Sequence, residues 1–365
     1  MAERDGMESF GDRCIAFFKN LHEGVRRDPV RVAIPASHVR VKDKTGTLVP
    51  DEAIGTSLTP GEHYFQVLVN EMYLRYSRKW WVDYDAMVFA VSEFIYKGEF
   101  QTVPFIIGPA MMKKYTQEDT AHIVFENTRV AGLHPWRGGR LNLAVILYAV
   151  KRGDRARDLF RVVEGAAKVV DFGNAFSTYA KVAGVVLDGA EVILGLEDTK
   201  PIVGLRSEFD QDRGFKTGYY ALISSDFQGD AQQLWVCEGR LSQDEAGKNP
   251  FRKADYVLYS VVPTSKRTDI DLLPFTPLWE RVAREGMDPG EQAWESAQAN
   301  WASLYQDIRF SSDLTKKQAK ELAEEWKKEL NTLHEERPSH RAEGEEPESP
   351  ELAEIRSSSL AIFRE

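Results

Sequence analysis

Apolar residues recur at every second position along much of this chain, which is the period of a β-strand with one buried face. The clearest case is the alternation of Leu141, Leu143, Val145, Leu147 and Ala149. Further runs of branched and aromatic residues, bounded by turn-forming residues, predict strands near 30–34, 39–42, 64–76, 87–96, 102–107, 120–130, 202–205, 219–224, 233–237 and 256–262. Many short strands separated by turns favour an antiparallel β-sandwich.

A helical period replaces this alternation between residues 154 and 197. Leu159, Val163 and Ala166 step by four and three residues, and the apolar run 176–196 keeps helical spacing. We therefore predict a helical hairpin inserted between two strands. Lysine and aspartate residues interrupt both of its runs, which favours a hairpin packed on the sheet over one that enters a bilayer.

Helical spacing returns after Pro274. Thr276-Pro277 is a helix start signal, and Asp288 followed by Glu291 resembles a capping box. The helix that begins there carries Trp294, Trp301, Tyr305 and Ile308 on one predicted face. A last helix over 313–334 carries an apolar stripe formed by Ala319, Leu322, Trp326, Leu330 and Leu333.

These patterns predict an α+β fold, in which an antiparallel β-sandwich holds an inserted helical hairpin and is followed by a C-terminal helical segment. The predicted parts are an N-terminal helix over 1–29, a sandwich-like domain over 30–270 with the hairpin at 154–197, a helical cap over 271–335 and a tail over 336–365. The tail is rich in glutamate and proline and poor in apolar residues, so we expect it to be flexible.

The net charge limits the expected classes of partner, and the cysteine content indicates the cellular compartment. The chain of 365 residues has a formal net charge of -10, which disfavours a general affinity for nucleic acid or anionic membranes. It contains two cysteines, as expected for a reducing compartment and not for a disulfide framework. With no cationic stretch before an apolar run at the start, no secretory signal is expected, and we expect a cytoplasmic protein.

The motifs of common enzymes are absent from the sequence. It contains no phosphate-binding Gly-x-x-x-x-Gly-Lys-Ser/Thr loop, no Gly-x-Gly-x-x-Gly turn, no Gly-x-Ser-x-Gly elbow and no His-Glu-x-x-His. We therefore expect no cofactor and no enzymatic activity. One alternative is a cysteine hydrolase that uses Cys237, at the end of a predicted strand, with His134 far upstream; nothing nearby in the sequence would lower the pKa of the thiol.

A calcium site is the remaining metal candidate. Glu208, Asp210 and Asp212 place carboxylates at alternate positions in a predicted loop, and carboxylate oxygens are the ligands that calcium prefers. The twelfth position counted from Asp210 is Ala221, so the segment is not an EF-hand. We treat these residues as a weak calcium candidate, because acidic turn residues are more often simply solvated.

Two clusters combine aromatic and basic side chains, the residue types enriched where proteins meet. The predicted partner-binding residues are Trp80 and Trp81 in the first cluster and His134, Trp136, Arg137 and Arg140 in the second. The apolar residues Leu360, Ile362 and Phe363 follow the predicted tail and complete this set.

The sequence thus favours a non-catalytic cytoplasmic interaction or regulatory protein that acts through protein–protein contacts, with a tail that docks or is proteolysed. The expected partner is another protein of unknown identity. The alternatives are a membrane-active effector that deploys 154–196 and the cysteine hydrolase described above.

Overall fold

The computed structural model describes residues 29–75, 78–79, 82–96, 99–107, 122–151, 153, 158, 186, 188–190, 192–193, 200–210, 216–224, 227 and 233–337. The predicted N-terminal helix and nearly all of the predicted tail lie outside these residues. The chain divides into two compact units. Of the described residues, the first unit contains those up to Thr276 together with 308–322, and the second contains 277–307 and 323–337.

The strands of the first unit are long in its middle and short at its ends. In chain order they are β1 (Val30–Ala33), β2 (Val39–Lys42), β3 (Leu48–Pro50), β4 (Tyr64–Tyr73), β5 (Arg78–Lys79), β6 (Val82–Tyr96), β7 (Glu99–Ile107), β8 (His122–Pro135), β9 (Arg140–Lys151), β10 (Lys200–Asp210), β11 (Gly218–Ile223), β12 (Trp235–Cys237), β13 (Arg240–Ser242) and β14 (Tyr256–Thr264).

These strands form three sheets. Sheet 1 has the order β1-β11-β14-β4-β8, sheet 2 has the order β10-β9-β6 with β5 and β7 both paired to β6, and sheet 3 has the order β13-β12-β2-β3. Neighbouring strands are antiparallel throughout, apart from the parallel pair of β12 and β2. The predicted antiparallel character is confirmed, together with a mixed α+β content.

Sheet 1 is buried on both faces. Along β11 and β14, Tyr220, Leu222 and Val257 belong to a core shared with the strands of sheet 2. The alternate residues Ala221 and Leu258 belong to a second core, shared with sheet 3. Because successive side chains of a strand point to opposite faces, each of these strands contributes to both cores. This explains why the 219–223 run is apolar at every position.

The opposite face of sheet 2 is buried as well. Residues 186, 188–190, 192 and 193 of the predicted hairpin are helical where they are described. Val186, Ala190 and Ile193 are fully buried and belong to the same core as the strands of sheet 2. Their spacing of four and three residues is that of one helix face. Asp188 and Val192, between them, are exposed.

Within the described residues, three helices follow β14: α1 (Thr276–Met287), α2 (Glu291–Arg309) and α3 (Lys316–Glu336). In the second unit, Trp279 stacks on Trp326 at a ring-centroid distance of 4.7 Å and meets Trp301 edge-on at 6.4 Å. A Cβ at Gly286 would lie 2.6 Å from Leu330 Cδ1, so α1 and α3 approach closely where the glycine has no side chain.

Two expectations about this region differ from the structure. The buried face of α2 consists of Ala297, Trp301, Leu304 and Ile308, whereas Tyr305 is 45% exposed, so the predicted face was rotated. The predicted cap 271–335 is also divided, because residues 308–322 belong to the first unit. In the sheets, the short strands β3, β5 and β13 were not predicted.

Candidate docking site

The connection between α2 and α3 is a short polar loop of the first unit. It contains Phe310, two serines, Asp313 and Thr315. The backbone N–H of Asp313 donates to Ser311 Oγ at 3.2 Å. The backbone N–H of Gln318 donates to Thr315 Oγ1 at 3.1 Å, which makes Thr315 the N-cap of α3.

A buried tyrosine anchors this N-cap to sheet 1. Tyr64, the first residue of β4, donates its hydroxyl to Gln318 Oε1 at 2.7 Å and accepts the backbone N–H of Thr315 at 3.0 Å. All three residues are buried. Burial raises the pKa of Tyr64 above its ordinary value, which keeps the hydroxyl in its donating form.

A buried arginine completes the anchor. The Arg267 guanidinium is 2% exposed and donates to both carboxylate oxygens of Asp269, at 2.7 and 2.8 Å, and to the backbone carbonyl of Asp313 at 2.8 Å. Burial alone would lower its pKa, but hydrogen bonding and charge from Asp269 outweigh burial and raise it. Gln318 exchanges two hydrogen bonds with the backbone of Arg267. We call these residues the buried anchor: Tyr64, Arg267, Asp269, Asp313, Thr315 and Gln318.

The outer side of the same connection forms an open cleft of about 650 Å³, which we call the α2–α3 cleft. It is lined by Ile95, Arg137, Arg309, Phe310, Ser311, Ser312 and Lys316. All of them belong to the first unit. Among the described residues that line the cleft, three are cationic and none is acidic, in a chain whose overall net charge is negative.

The β8–β9 turn forms one wall of the α2–α3 cleft. Gly138 and Gly139 both have positive φ, 84° and 79°, which is the conformation of a tight hairpin turn and favours glycine. A Cβ at Gly139 would lie 3.3 Å from Ile95 Cδ1. The preceding Arg137 donates to the backbone carbonyls of Ser311 at 3.2 Å and Leu314 at 2.9 Å. The turn is thereby fixed against the α2–α3 connection.

The other wall contains the most exposed large apolar side chain in the described part of the chain. Phe310 is 84% exposed and lies between Arg309, the last residue of α2, and the cleft's serines. Lys316 begins α3, where no acidic residue occupies the first turn. A helix N-terminus carries a partial positive charge, so Lys316 adds to that charge instead of offsetting it.

The predicted partner-binding residues have different surroundings in the structure. His134 is buried and stacks on Phe94 at 4.1 Å. Trp136 is 2% exposed and meets Phe65 edge-on, so both side chains are core residues and not surface contacts. Arg137 is exposed and lines the cleft. Trp80, Trp81, Leu360, Ile362 and Phe363 lie outside the described residues.

The weak calcium candidate has a structural explanation. Glu208 and Asp210 are not in a loop but at the end of β10. There Arg140 Nε lies 3.3 Å from Glu208 Oε1 and 3.5 Å from Asp210 Oδ2. Asp212 lies outside the described residues. A cation at these two carboxylates would have to displace an arginine that already pairs with both of them. Within the described residues, no three His, Cys, Asp or Glu side chains are grouped as metal ligands.

Cys237 lies at the end of β12 and is buried. Its Sγ lies 3.3 Å from the carbonyl oxygen of Glu245 and 3.8 Å from that of Asp244. Burial, with the nearby Asp244 charge, raises the pKa of the thiol. A raised pKa keeps the sulfur protonated, which is the opposite of what a cysteine nucleophile needs. The ring contacts of His134 are with Phe65 and Phe94. His134 belongs to β8 of sheet 1, whereas Cys237 belongs to β12 of sheet 3.

Three of the lining residues, Arg309, Phe310 and Lys316, were not predicted to act together. The only sequence signal was a phenylalanine placed directly after a predicted helix face in an otherwise polar loop. Arg137 contacts this loop although it lies 174 residues away from Ser311 along the chain. No local sequence pattern predicts such a long-range contact.

Comparison of the sequence with profiles of known protein families gave no match, and comparison with curated proteins gave none either. In the part of the chain that the structure describes, no helix has both the length and the apolar composition needed to span a membrane.

Proposed function

We propose that this protein is a non-catalytic interaction protein that binds another protein through the α2–α3 cleft. The observation that carries the proposal is the 84% exposure of Phe310 in a cleft that also holds three cationic side chains. Aromatic and arginine side chains are enriched at the energetic centres of protein interfaces. A ring this exposed buries little apolar area, so we expect it to contribute little to folding stability, and partner binding would explain why it is retained.

The surroundings of the cleft support this function. The buried anchor fixes the start of α3, and Arg137 fixes the β8–β9 turn against the same connection. A site whose backbone is held rigidly loses less conformational entropy when a partner binds. Walls fixed in this way support the proposal that the cleft is a preformed docking site.

The scaffold we propose is a β-sandwich made by sheets 1 and 2, because inward-facing residues of both sheets share one core. We also propose a cellular location and a second binding element. The low cysteine content suits action in the cytoplasm, and the acidic segment 336–365 would serve as a second docking or protease-sensitive element.

Site-specific photo-crosslinking tests the proposal. The photoreactive analogue benzoylphenylalanine replaces Phe310 in the full chain, which is expressed in the cells that naturally produce it and irradiated. We expect a discrete covalent adduct with one protein, identified by mass spectrometry. The matched position is Leu272, which is 47% exposed in the same unit but outside the cleft.

Adducts at position 310 that are missing at position 272 support the cleft as the docking site. If position 310 gives no adduct, or the same adducts as position 272, the cleft is not the site and the proposal is wrong.

A further inference from the structure

We infer that the α2–α3 cleft binds an acidic linear segment of its protein partner, with an apolar side chain of that segment against Phe310. This inference rests on the proposed function, because it names the class of partner for the same cleft. It is carried by the charges and the shape of the lining residues.

Two of the cationic side chains of the cleft, Arg309 and Lys316, have no neutralising partner among the described residues. Arg309 and Lys316 are both exposed, and within the described residues neither takes part in an ion pair or a hydrogen bond through its side chain. Arg137, on the opposite wall, adds a third cationic side chain to the cleft. Cations gathered in a concave surface concentrate their field there, so the complementary ligand carries carboxylates.

Hydrogen-bond donors reinforce this preference. Ser311 and Ser312 line the cleft between the cations, and hydroxyls donate readily to carboxylate oxygens. Arginine in particular binds carboxylates through two parallel hydrogen bonds. The positive end of the α3 dipole lies at the same place, since α3 begins at Lys316.

The size of the cleft indicates a linear segment. Its volume of about 650 Å³ is in the range of sites that hold small ligands or a few residues of a peptide, roughly 300–1,000 Å³. Phe310 and Ile95 supply an apolar surface within it, so an aliphatic or aromatic residue flanked by acidic residues fits both features.

Nucleic acid is the competing polyanion, and the structure disfavours it. A strand of nucleic acid is usually held by a positive groove that follows its backbone over several nucleotides, whereas these cations occupy one short cleft. The net charge of -10 also repels a long polyanion. A short acidic peptide carries less negative charge than a nucleic acid strand, so the positive field of the cleft alone is enough to attract it.

Fluorescence anisotropy with the full chain tests the inference. The probe is a fluorescein-labelled peptide with glutamates on both sides of one leucine, at low ionic strength. We expect saturable binding that weakens as salt is added, because exposed charges are screened. Phe310→Ala and Lys316→Glu are each expected to weaken binding about tenfold.

The controls separate charge from shape. Lys316→Met keeps the side-chain stem, which lies over Gly61, and removes only the charge. Lys248→Glu makes the same charge change as Lys316→Glu at an exposed lysine outside the cleft and is expected to leave binding unchanged. Lysine in place of the glutamates of the probe, or glycine in place of its leucine, should weaken binding.

The inference is overturned if the acidic probe does not bind, if Lys248→Glu weakens binding as much as Lys316→Glu, or if a labelled oligothymidine binds more tightly. A negative result in the anisotropy assay is distinguishable from a negative result in the crosslinking experiment. If position 310 still crosslinks to one protein while the acidic probe does not bind, the cleft is a docking site for a partner of different chemistry.

Discussion

The two sides of the α2–α3 connection have opposite chemistry. On the inner side, the polar groups of the buried anchor are hydrogen-bonded to one another or to backbone N–H and carbonyl groups, and Arg267 is 2% exposed. On the outer side, Phe310 is 84% exposed, next to Arg309 and Lys316, and the described lining residues include no carboxylate. The inner side is organised for stability, and the outer side keeps apolar area and charge available.

Arginine serves two different purposes on the two sides of this connection, as the buried Arg267 and the exposed Arg309 show. A buried guanidinium must be paired, because removing it from water costs several kcal/mol if nothing replaces the solvent. An exposed one has no such cost and is available for a partner. Changes on the inner side should therefore alter the free energy of unfolding, and changes on the outer side should alter binding alone.

The largest effect is expected for Asp269→Ala. The substitution removes the carboxylate that accepts two hydrogen bonds from the buried Arg267. Breaking a buried ion pair from one side costs about 3–5 kcal/mol, and we expect a loss of that size in the free energy of unfolding. Urea titration followed by circular dichroism measures it.

The matched control for this change is Glu208→Ala, which removes a carboxylate from Arg140 at a pair whose side chains are 42% and 57% exposed. Exposed pairs contribute at most about 1 kcal/mol. Equal losses in the two variants would mean that Arg267 is not held in a buried environment, contrary to the comparison above.

A smaller effect is expected for Tyr64→Phe. The ring is kept, but the buried backbone N–H of Thr315 loses its acceptor. A buried donor without a partner costs about 1–3 kcal/mol, and we expect a loss in that range by the same urea titration. Tyr305→Phe is the control, because this tyrosine is 45% exposed and its hydroxyl remains solvated in either state.

The Tyr64→Phe variant also allows a test of how stability depends on pH. Because burial raises the pKa of Tyr64 above its ordinary value of 10, the unfolded chain loses this proton first. The contribution of Tyr64 is therefore complete below pH 10 and is lost as the pH rises from 10 toward the folded-state pKa. Over that window, stability should fall less steeply in Tyr64→Phe than in the wild type, by about 1.4 kcal/mol per pH unit. Identical slopes would contradict the buried environment of the hydroxyl.

The strands were predictable because their pattern is local. The alternation over 141–149 lies within β9, and the start signal at Thr276 is the first residue of α1. Which strands are covered on both faces was not predictable in this way. The apolar run 219–223 has no alternation because it is buried on both faces, and a continuous apolar run does not say which layers cover it.

The α2–α3 cleft could not be predicted from the sequence, for a different reason. Arg137 reaches the α2–α3 connection by donating to the backbone carbonyls of Ser311 and Leu314. Every residue presents a carbonyl, so such contacts leave no signature in residue type. The second aromatic-basic cluster did point to Arg137, but it also included His134 and Trp136, which are buried.

The smallest effect on stability is expected for Phe310→Ala. The ring is 84% exposed, so truncation removes little buried area, and surface substitutions usually change stability by at most about 0.5 kcal/mol. Phe251→Ala is the matched control, because Phe251 is fully buried in the core shared by sheets 1 and 3 and its truncation should cost about 3–5 kcal/mol. A loss above 1 kcal/mol in Phe310→Ala would show that the ring contributes to folding and would remove the main reason for assigning it to a partner. An unchanged free energy of unfolding, together with weaker binding of the acidic probe, would mean that the outer side of the connection retains its phenylalanine for recognition.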